Sequence, residues 1–116
     1  MKTPKRFEVW LVNWDPARGS EQEGLRPSLI IQIDSGNINQ NYPNTIVITI
    51  STKGRDIPFH IKVSSSKENG LSSISYIKCE QILTISKERL VKKIGTLEER
   101  YKEKVEEALK LVLNLE

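Results

Sequence analysis

Arg26 is the side chain of this sequence best suited to hold a phosphate group. It ends the segment 19–26, and Pro27 restricts its backbone to an extended conformation, which fixes the base of the side chain. Its guanidinium is planar, always charged and offers paired donors that match phosphate oxygens. The alternative is a surface arginine paired with Glu21 or Glu23, and composition alone favours that simpler interpretation.

A second candidate is the pair of hydroxyl residues Ser51 and Thr52, which end a predicted strand and run into the basic turn 53–55. Hydroxyls in such a position can donate hydrogen bonds to a phosphoryl oxygen. When the segment is taken alone, an ordinary strand-to-turn transition is the better explanation.

His60 is the only histidine, and histidine is the usual general acid or base near neutral pH. In its predicted strand it alternates with Phe59 and Ile61, so we expect its side chain to point toward solvent. We therefore predict no catalytic role for it.

Composition and the lack of other motifs narrow the classes of function that this sequence can have. The 116 residues suit one domain, residues 1–116, and the net charge of +3 permits a polyanionic partner without requiring one. The carboxylates form neither a glycosidase pair nor a two-metal cluster, and no Gly-x-x-x-x-Gly-Lys loop is present. The single cysteine, Cys79, is flanked by strand formers, and we predict a small buried hydrophobic residue. We therefore predict no metal and no cofactor.

The sequence also lacks the signals of a membrane protein. No stretch approaches the roughly 18 apolar residues of a membrane span, and no apolar run of signal-peptide length follows Met1. We expect a cytoplasmic protein.

The elements that must position these side chains are mostly short strands. The first strand is predicted at 7–14, and both of its faces are apolar: Phe7, Val9 and Leu11 on one, Trp10, Val12 and Trp14 on the other. We expect both faces to be covered, and a second subunit is one candidate for covering one of them. Further strands are predicted at 29–33, 44–51 and 59–63, with one or two more in 72–84, and a loop or single helical turn at 36–41.

The end of the sequence predicts an amphipathic helix. Thr96 is placed to cap it, with Glu99 completing a capping box. Apolar residues then recur at helical spacing: Leu97, Tyr101, Val105, Ala108 or Leu109, and Val112. The whole pattern predicts a mainly β fold with α, namely a small, partly open β-barrel with short helices and a C-terminal amphipathic helix.

Segments in order along nearly the whole chain resemble the MazF/PemK toxin family. The strand Glu8-Val9-Trp10 resembles the family's opening strand, and residues 15–27 match its loop D-P-x-x-G-S-E-Q-x-G-x-R-P. This loop is the most specific part of the resemblance. Later matches occur at 31–34, 45–47, 58–61, 80–85, 90–95 and in the tail helix.

The resemblance implies an SH3-like barrel of the MazF/PemK/CcdB type that forms a symmetric homodimer. It implies metal-independent, sequence-specific cleavage of single-stranded RNA, either messenger or ribosomal. It also implies an antitoxin partner whose disordered tail covers the RNA groove.

Site residues follow from the same resemblance. The arginine of the R-P pair and a Ser or Thr ending the third strand carry the family's reaction, and these positions are Arg26 and Ser51. As substrate-binding residues we predict, besides these two, Gly19, Ser20, Glu21, Gln22, Thr52, Lys53 and Gln81, and we keep His60 as an RNA contact only.

The implied chemistry is attack of the RNA 2'-hydroxyl on the neighbouring phosphorus, giving a 2',3'-cyclic phosphate and a 5'-hydroxyl. We hypothesise that Arg26 neutralises the developing charge and that Ser51 donates a hydrogen bond to the same oxygens. Glu21 and water are both candidates to accept the 2'-proton.

Two positions depart from the family pattern. Ser51 replaces the usual threonine and keeps the donor but lacks the methyl group that fixes its rotamer, so we expect activity to survive, at full or reduced level, with Thr52 as a substitute if the register slips. Glu23 replaces a small residue, and we expect it to repel RNA or alter base preference. Two other functions remain open, a CcdB-type toxin that poisons gyrase and a catalytically inactive RNA-binding barrel.

Overall fold

The computed structural model describes residues 2–15 and 24–116. Its elements in chain order are β1 (Glu8–Asn13), β2 (Leu25–Ile30), α1 (Asp34–Ile38), β3 (Asn44–Ser51), β4 (His60–Val63), β5 (Ser75–Ser86), a 3-10 turn (Lys87–Arg89), β6 (Leu90–Thr96) and α2 (Glu99–Leu113). The six strands form one antiparallel sheet in the order β4-β5-β3-β2-β1-β6. The mainly β fold with two helices is as predicted, and the sheet is not closed.

The sheet bends at a bulge in its longest strand, β5. Ile48 of β3 pairs with Ile82, whereas the next residue, Thr49, pairs with Lys78. The three residues 79–81 therefore have no partner in β3, and such an insertion bends a strand and increases its twist. The bulge places Gln81 beside Thr49 of β3 and Glu80 beside His60 of β4.

Two apolar clusters lie on the two faces of the sheet. The helix-side cluster includes Phe7, Val9, Leu29, Ile48, Ile50, Ile77, Leu97, Tyr101, Val105 and Ala108. The tryptophan cluster consists of Trp10, Val12, Trp14, Ile30, Val47, Ile85 and Leu90. Phe7 and Val9 belong to the helix-side cluster and Trp10 and Val12 to the tryptophan cluster, whereas Leu11 is half-buried and belongs to neither. Apart from Leu11, the two predicted apolar faces are covered. Both are buried within a single chain, so neither needs a second subunit.

Strand β2 differs from its predicted position at 29–33. It begins four residues earlier and contains Pro27, which pairs with Leu11 of β1, while pairing with β3 starts only at Ser28. Because that proline lies where β2 has only one neighbouring strand, its missing N–H costs no bond in the ladder. Arg26 consequently lies on a strand rather than in a loop.

The remaining strands match the predictions unevenly. The predicted third strand coincides with β3, and the region 72–84 provides one strand, β5. The turn expected near 36–41 is the short helix α1. Strand β6 was not predicted separately.

The predicted start of α2 is wrong. Thr96 is the last residue of β6, its N–H donates to the carbonyl of Glu68, and the helix is capped at Glu98 without a side-chain hydrogen bond. Pairing of β6 with β1 therefore prevails over the local capping signal. The predicted apolar face is confirmed, since Leu97, Tyr101 and Val105 are buried against the sheet.

Candidate functional site

Arg26 and Ser51 line the same cavity, together with Thr52. It has a volume of about 360 Å³ and lies where β2 begins and β3 ends. The β2–β3 pairing ends at Ser28 and Thr49, and Arg26 and Ser51 each lie two residues beyond that last pair, on β2 and β3 respectively. Residues two apart in a strand share a face of the sheet. The structure thus brings together the two residues that the sequence selected for chemistry.

The backbones of Arg26 and Ser51 are both held by pairing with a neighbouring strand. Arg26 is exposed at the cavity, and its backbone pairs with Val12 of β1, which is fully buried in the tryptophan cluster. Ser51 ends β3 and is half-buried, pairing with Tyr76 of β5. A guanidinium from β2 and a hydroxyl from β3 are therefore both available to a ligand in this cavity.

The Ser51 hydroxyl is held by the turn that follows it. Its Oγ accepts a hydrogen bond from the backbone N–H of Lys53 at 3.1 Å. A Cβ added to Gly54 would lie 2.2 Å from the ring of Tyr76, so the turn packs directly on that ring. Because the backbone N–H occupies an acceptor site of the oxygen, the hydroxyl proton is left to point toward another acceptor.

A second wall of the cavity was not predicted. It is formed by residues 70–73 and by Ser75, with Leu11 and Ile94 also contributing to the lining. The only sequence signal there is Asn69-Gly70, a dipeptide typical of turns. Nothing in the spacing indicates that this turn crosses to the end of β3.

His60 lies away from the cavity, and the expectation that it points toward solvent is wrong. Its side chain is only 6% exposed. The ring Nδ1 accepts the backbone N–H of Arg55 at 3.0 Å, and Nε2 lies 2.8 Å from a carboxylate oxygen of Glu80. Glu80 belongs to the bulge in β5, and its carboxylate faces His60, the first residue of the edge strand β4. An Nδ1 that accepts a hydrogen bond leaves the proton on Nε2, so both nitrogens are engaged.

Gln81 and Lys53 contact the site only through β3 and its turn. The side-chain oxygen of Gln81 accepts the hydroxyl of Thr49, two residues before Ser51. Neither Gln81 nor Lys53 lines the cavity. The other predicted substrate-binding residues, Gly19, Ser20, Glu21 and Gln22, lie outside the described residues, as does Glu23.

Cys79 is a buried thiol rather than a nucleophile. Desolvation by burial, reinforced by the neighbouring Glu80 carboxylate, raises its pKa to about 12. The thiol therefore stays protonated near neutral pH, as expected of a small buried hydrophobic residue. Within 2–15 and 24–116, no group of three or more His, Cys, Asp or Glu side chains could hold a metal ion.

The fold and cavity define a small β domain with a cationic cleft at one end of its sheet. A family model described as PemK-like, MazF-like toxin of type II toxin-antitoxin system matches residues 5–113. The Endoribonuclease EndoA of Bacillus subtilis is 41% identical over 113 residues, covering 96% of this chain and 95% of the relative. The Endoribonuclease MazF of Staphylococcus epidermidis is 38% identical over 114 residues, covering 96% and 92%. The chain belongs to the PemK/MazF toxin family.

Solved structures confirm the fold. An endoribonuclease from a mycobacterial species, in complex with its cognate antitoxin, superposes with a TM-score of 0.79 at 21% identity and covers 97% of both chains. MazF from Deinococcus radiodurans gives a TM-score of 0.80 at 16% identity, covering 99% of this chain and all of that one. In the described part of this chain, no helix has the length and apolar character needed to cross a membrane.

Proposed function

We propose that this protein is an endoribonuclease toxin that cuts single-stranded RNA at specific sequences without a metal ion and is neutralised by an antitoxin. The observation that carries the proposal is the shared cavity of Arg26 and Ser51. The two relatives named above support it, because each is named as an endoribonuclease and matches nearly the full length of this chain.

The proposed reaction is an internal transfer of the phosphodiester. The RNA 2'-oxygen bonds to phosphorus as the bond to the 5'-oxygen breaks. The 2'-proton passes to a base, either Glu21 or water, and the leaving 5'-oxygen takes up a proton. The products are a 2',3'-cyclic phosphate and a 5'-hydroxyl.

Arg26 supplies positive charge where negative charge builds up. The two non-bridging oxygens gain charge as the fifth bond to phosphorus forms, and a guanidinium can donate to both of them at once. A donor that is already in place costs no reorganisation when the charge appears. The strand pairing of its backbone fixes the point from which the Arg26 side chain extends.

Ser51 donates to the same phosphoryl oxygens. The N–H of Lys53 already occupies part of its oxygen, which orients the hydroxyl without the methyl group that threonine would provide. This contact supports activity in a chain that carries serine here. Thr52 lines the same cavity and offers a second hydroxyl.

RNA would enter as an extended single strand. The cavity volume of about 360 Å³ is near the lower end of the roughly 300–1,000 Å³ range of ligand pockets, which suits one nucleotide unit. Single-stranded recognition also lets neighbouring bases splay outward and be recognised along their edges. His60 and Gln81 would then support the protein around the cavity rather than touch RNA, since their side chains bond to Glu80 and Thr49.

The remaining parts of the proposal concern partners and location. A disordered antitoxin segment folding over the cavity would block Arg26. We also propose a homodimer, although the apolar faces of β1 do not require one, and a cytoplasmic site of action, where messenger and ribosomal RNA are found.

The test is to incubate the purified protein with a long single-stranded RNA in excess chelator and to identify the new ends. Cuts ending in cyclic phosphate, absent with Arg26→Ala, support the proposal. Binding without cuts would identify an inactive RNA-binding domain. Intact RNA together with inhibition of gyrase would identify a poison of the CcdB type. Cuts abolished by chelator would overturn the metal-independent mechanism.

A further inference from the structure

We propose that Ser72 and Ser73 form a specificity wall, which contacts the nucleotide beside the scissile phosphate and selects which RNA sequences are cut. This inference rests on the proposed function, because it assumes that RNA occupies the cavity. It assigns a role to residues that the sequence did not single out.

The specificity wall lies in the same cavity as the reacting groups. Ser72 and Ser73 line it together with Arg26 and Ser51, and both serines are exposed. Within the described ranges, the hydroxyl of neither serine makes a hydrogen bond inside the chain. A serine hydroxyl both donates and accepts, so it can bind the donor or the acceptor edge of a base.

Both ends of the specificity wall are fixed in the fold. On one side Leu71 is buried in the helix-side cluster. On the other, Ser75 is buried at the start of β5, and its hydroxyl donates to the carbonyl of Ser73 at 3.0 Å. The exposed residues between these two anchors have little freedom to move out of the cavity.

Asn69 fastens the preceding turn to the rest of the molecule. It is fully buried, and its side-chain oxygen accepts the N–H groups of Ser66 and Leu71 at 3.2 and 2.9 Å. Its amide donates to the carbonyl of Ser64 at 2.9 Å and to Glu98 at 3.0 Å. Glu98 caps α2, so the turn is tied directly to that helix.

A crossing of two glycines adds a second constraint. Gly70 has a φ of +72°, and a Cβ there would lie 1.9 Å from the carbonyl oxygen of Ile94. A Cβ on Gly95 would lie 2.3 Å from the backbone of Asn69. The two backbones therefore touch where no side chain fits, which sets the depth of the specificity wall relative to β6.

A rigid support that ends in two exposed, unpaired hydroxyls suits recognition better than packing. Packing would be served by apolar side chains, whereas a preorganised polar group can distinguish one ligand from another. The contact would discriminate among bases rather than drive the reaction, because charge stabilisation already comes from Arg26 and Ser51.

The experiment compares cut sites in a randomised single-stranded RNA pool by sequencing the new 5' ends. The variants are S72A/S73A, which removes both hydroxyls, and Ser73→Leu, which fills part of the cavity. Ser65→Ala is the matched control, because Ser65 is an exposed serine of the same β4–β5 connection that does not line the cavity. Arg26→Ala marks the loss of catalysis.

We expect S72A/S73A to weaken the base preference at one position next to the cut by about 3- to 10-fold, the effect of losing one hydrogen bond. Ser73→Leu should change the preferred base at that position, while Ser65→Ala keeps the parental profile. Unchanged cut sites in both wall variants, with the parent and Ser65→Ala still cutting, would overturn this inference alone. A parent that never cuts RNA would overturn the proposed function instead.

Discussion

The polar side chains near the two ends of β3 differ in how fully they are hydrogen-bonded. At the lysine end, around Thr45, Asn37 and Lys87, polar groups are buried and hydrogen-bonded within the chain. At the cavity end, the Ser28 hydroxyl is buried without a partner among the described residues, and the Ser51 hydroxyl, which accepts the Lys53 N–H, can still donate its proton. A single strand thus joins a region built for stability to a region built for contact.

The lysine end is a closed polar network. Lys87 is 1% exposed, and its ammonium donates to the carbonyls of Gly36 and Asn39 at 3.0 and 3.1 Å. The side-chain oxygen of Asn37 accepts from Thr45 at 2.7 Å and from Gln32 at 3.1 Å. These bonds tie α1 to β3 and to the 3-10 turn, and they satisfy carbonyl groups at the end of the helix.

The cavity end leaves bonding capacity unused. In the described part of the chain, the Ser28 hydroxyl and the indole N–H of Trp14 are the buried side-chain groups without a partner. Such a group costs stability, whereas a fully bonded one does not. The Ser28 hydroxyl lies two residues from Arg26 along β2, so some stability is given up near the cavity.

The largest expected effect comes from Arg26→Ala, which should lower the cleavage rate by about 100- to 1000-fold because a preorganised charge on the phosphoryl oxygens is lost. The melting temperature should not fall, since Arg26 is exposed. Initial rates on a defined RNA and a thermal melt measure both. Arg55→Ala is the matched control, an exposed arginine outside the cavity. An equal loss in that variant would show that general positive charge, and not the cavity, carries the reaction.

Ser51→Ala should lower the rate by about 100-fold, because the second donor disappears. Ser51→Thr keeps the donor and adds the rotamer-fixing methyl group, so its rate should equal or exceed that of the parent. Single-turnover rates of the two variants separate the hydroxyl from the shape of the side chain. A Ser51→Ala protein as fast as the parent would assign the role to Thr52 or to no hydroxyl.

At the lysine end, Lys87→Met should destabilise the fold by about 2 kcal/mol, because two partly buried carbonyls lose their donor. Methionine removes the desolvation penalty of the buried ammonium, which keeps the loss of folding stability moderate. The melting temperature should fall by about 10 °C, while cleavage per folded molecule stays unchanged. Lys92→Met, at an exposed position, is the control. A loss of cleavage without a loss of stability would contradict the separation of the two ends.

Regular patterns along the chain predicted the regular parts of the fold. The bounds of β3 and the buried face of α2 follow from apolar residues at spacings of two and of three to four. The chemistry of Arg26 and Ser51 was visible locally, but composition alone favoured simpler roles, and only the family resemblance joined the two residues. Their common cavity depends on strand pairing, which no local pattern reveals.

The errors share one physical cause, which is contact between distant segments. The burial of His60 depends on Glu80, which the bulge in β5 turns toward it. Thr96 remains in a strand because β6 pairs with β1, although its own sequence suggests a helix cap. Ser72 reaches the cavity because Gly70 crosses β6 where only a glycine fits. None of these contacts has a signature in the spacing of neighbouring residues.

The smallest expected effect provides the sharpest test of the comparison between the two ends. Ser28→Ala removes a buried hydroxyl that has no partner in the described chain, so it should raise the unfolding free energy by about 0.5–1 kcal/mol. Thr45→Ala at the lysine end removes a hydroxyl bonded to Asn37 and should lower the same quantity by about 1 kcal/mol. Urea denaturation of both variants measures the difference. Because each substitution deletes a buried hydroxyl from the same face of the sheet, opposite signs isolate the effect of the partner. If both variants lose stability equally, the Ser28 hydroxyl is satisfied in solution, and the cavity end is as closed as the lysine end.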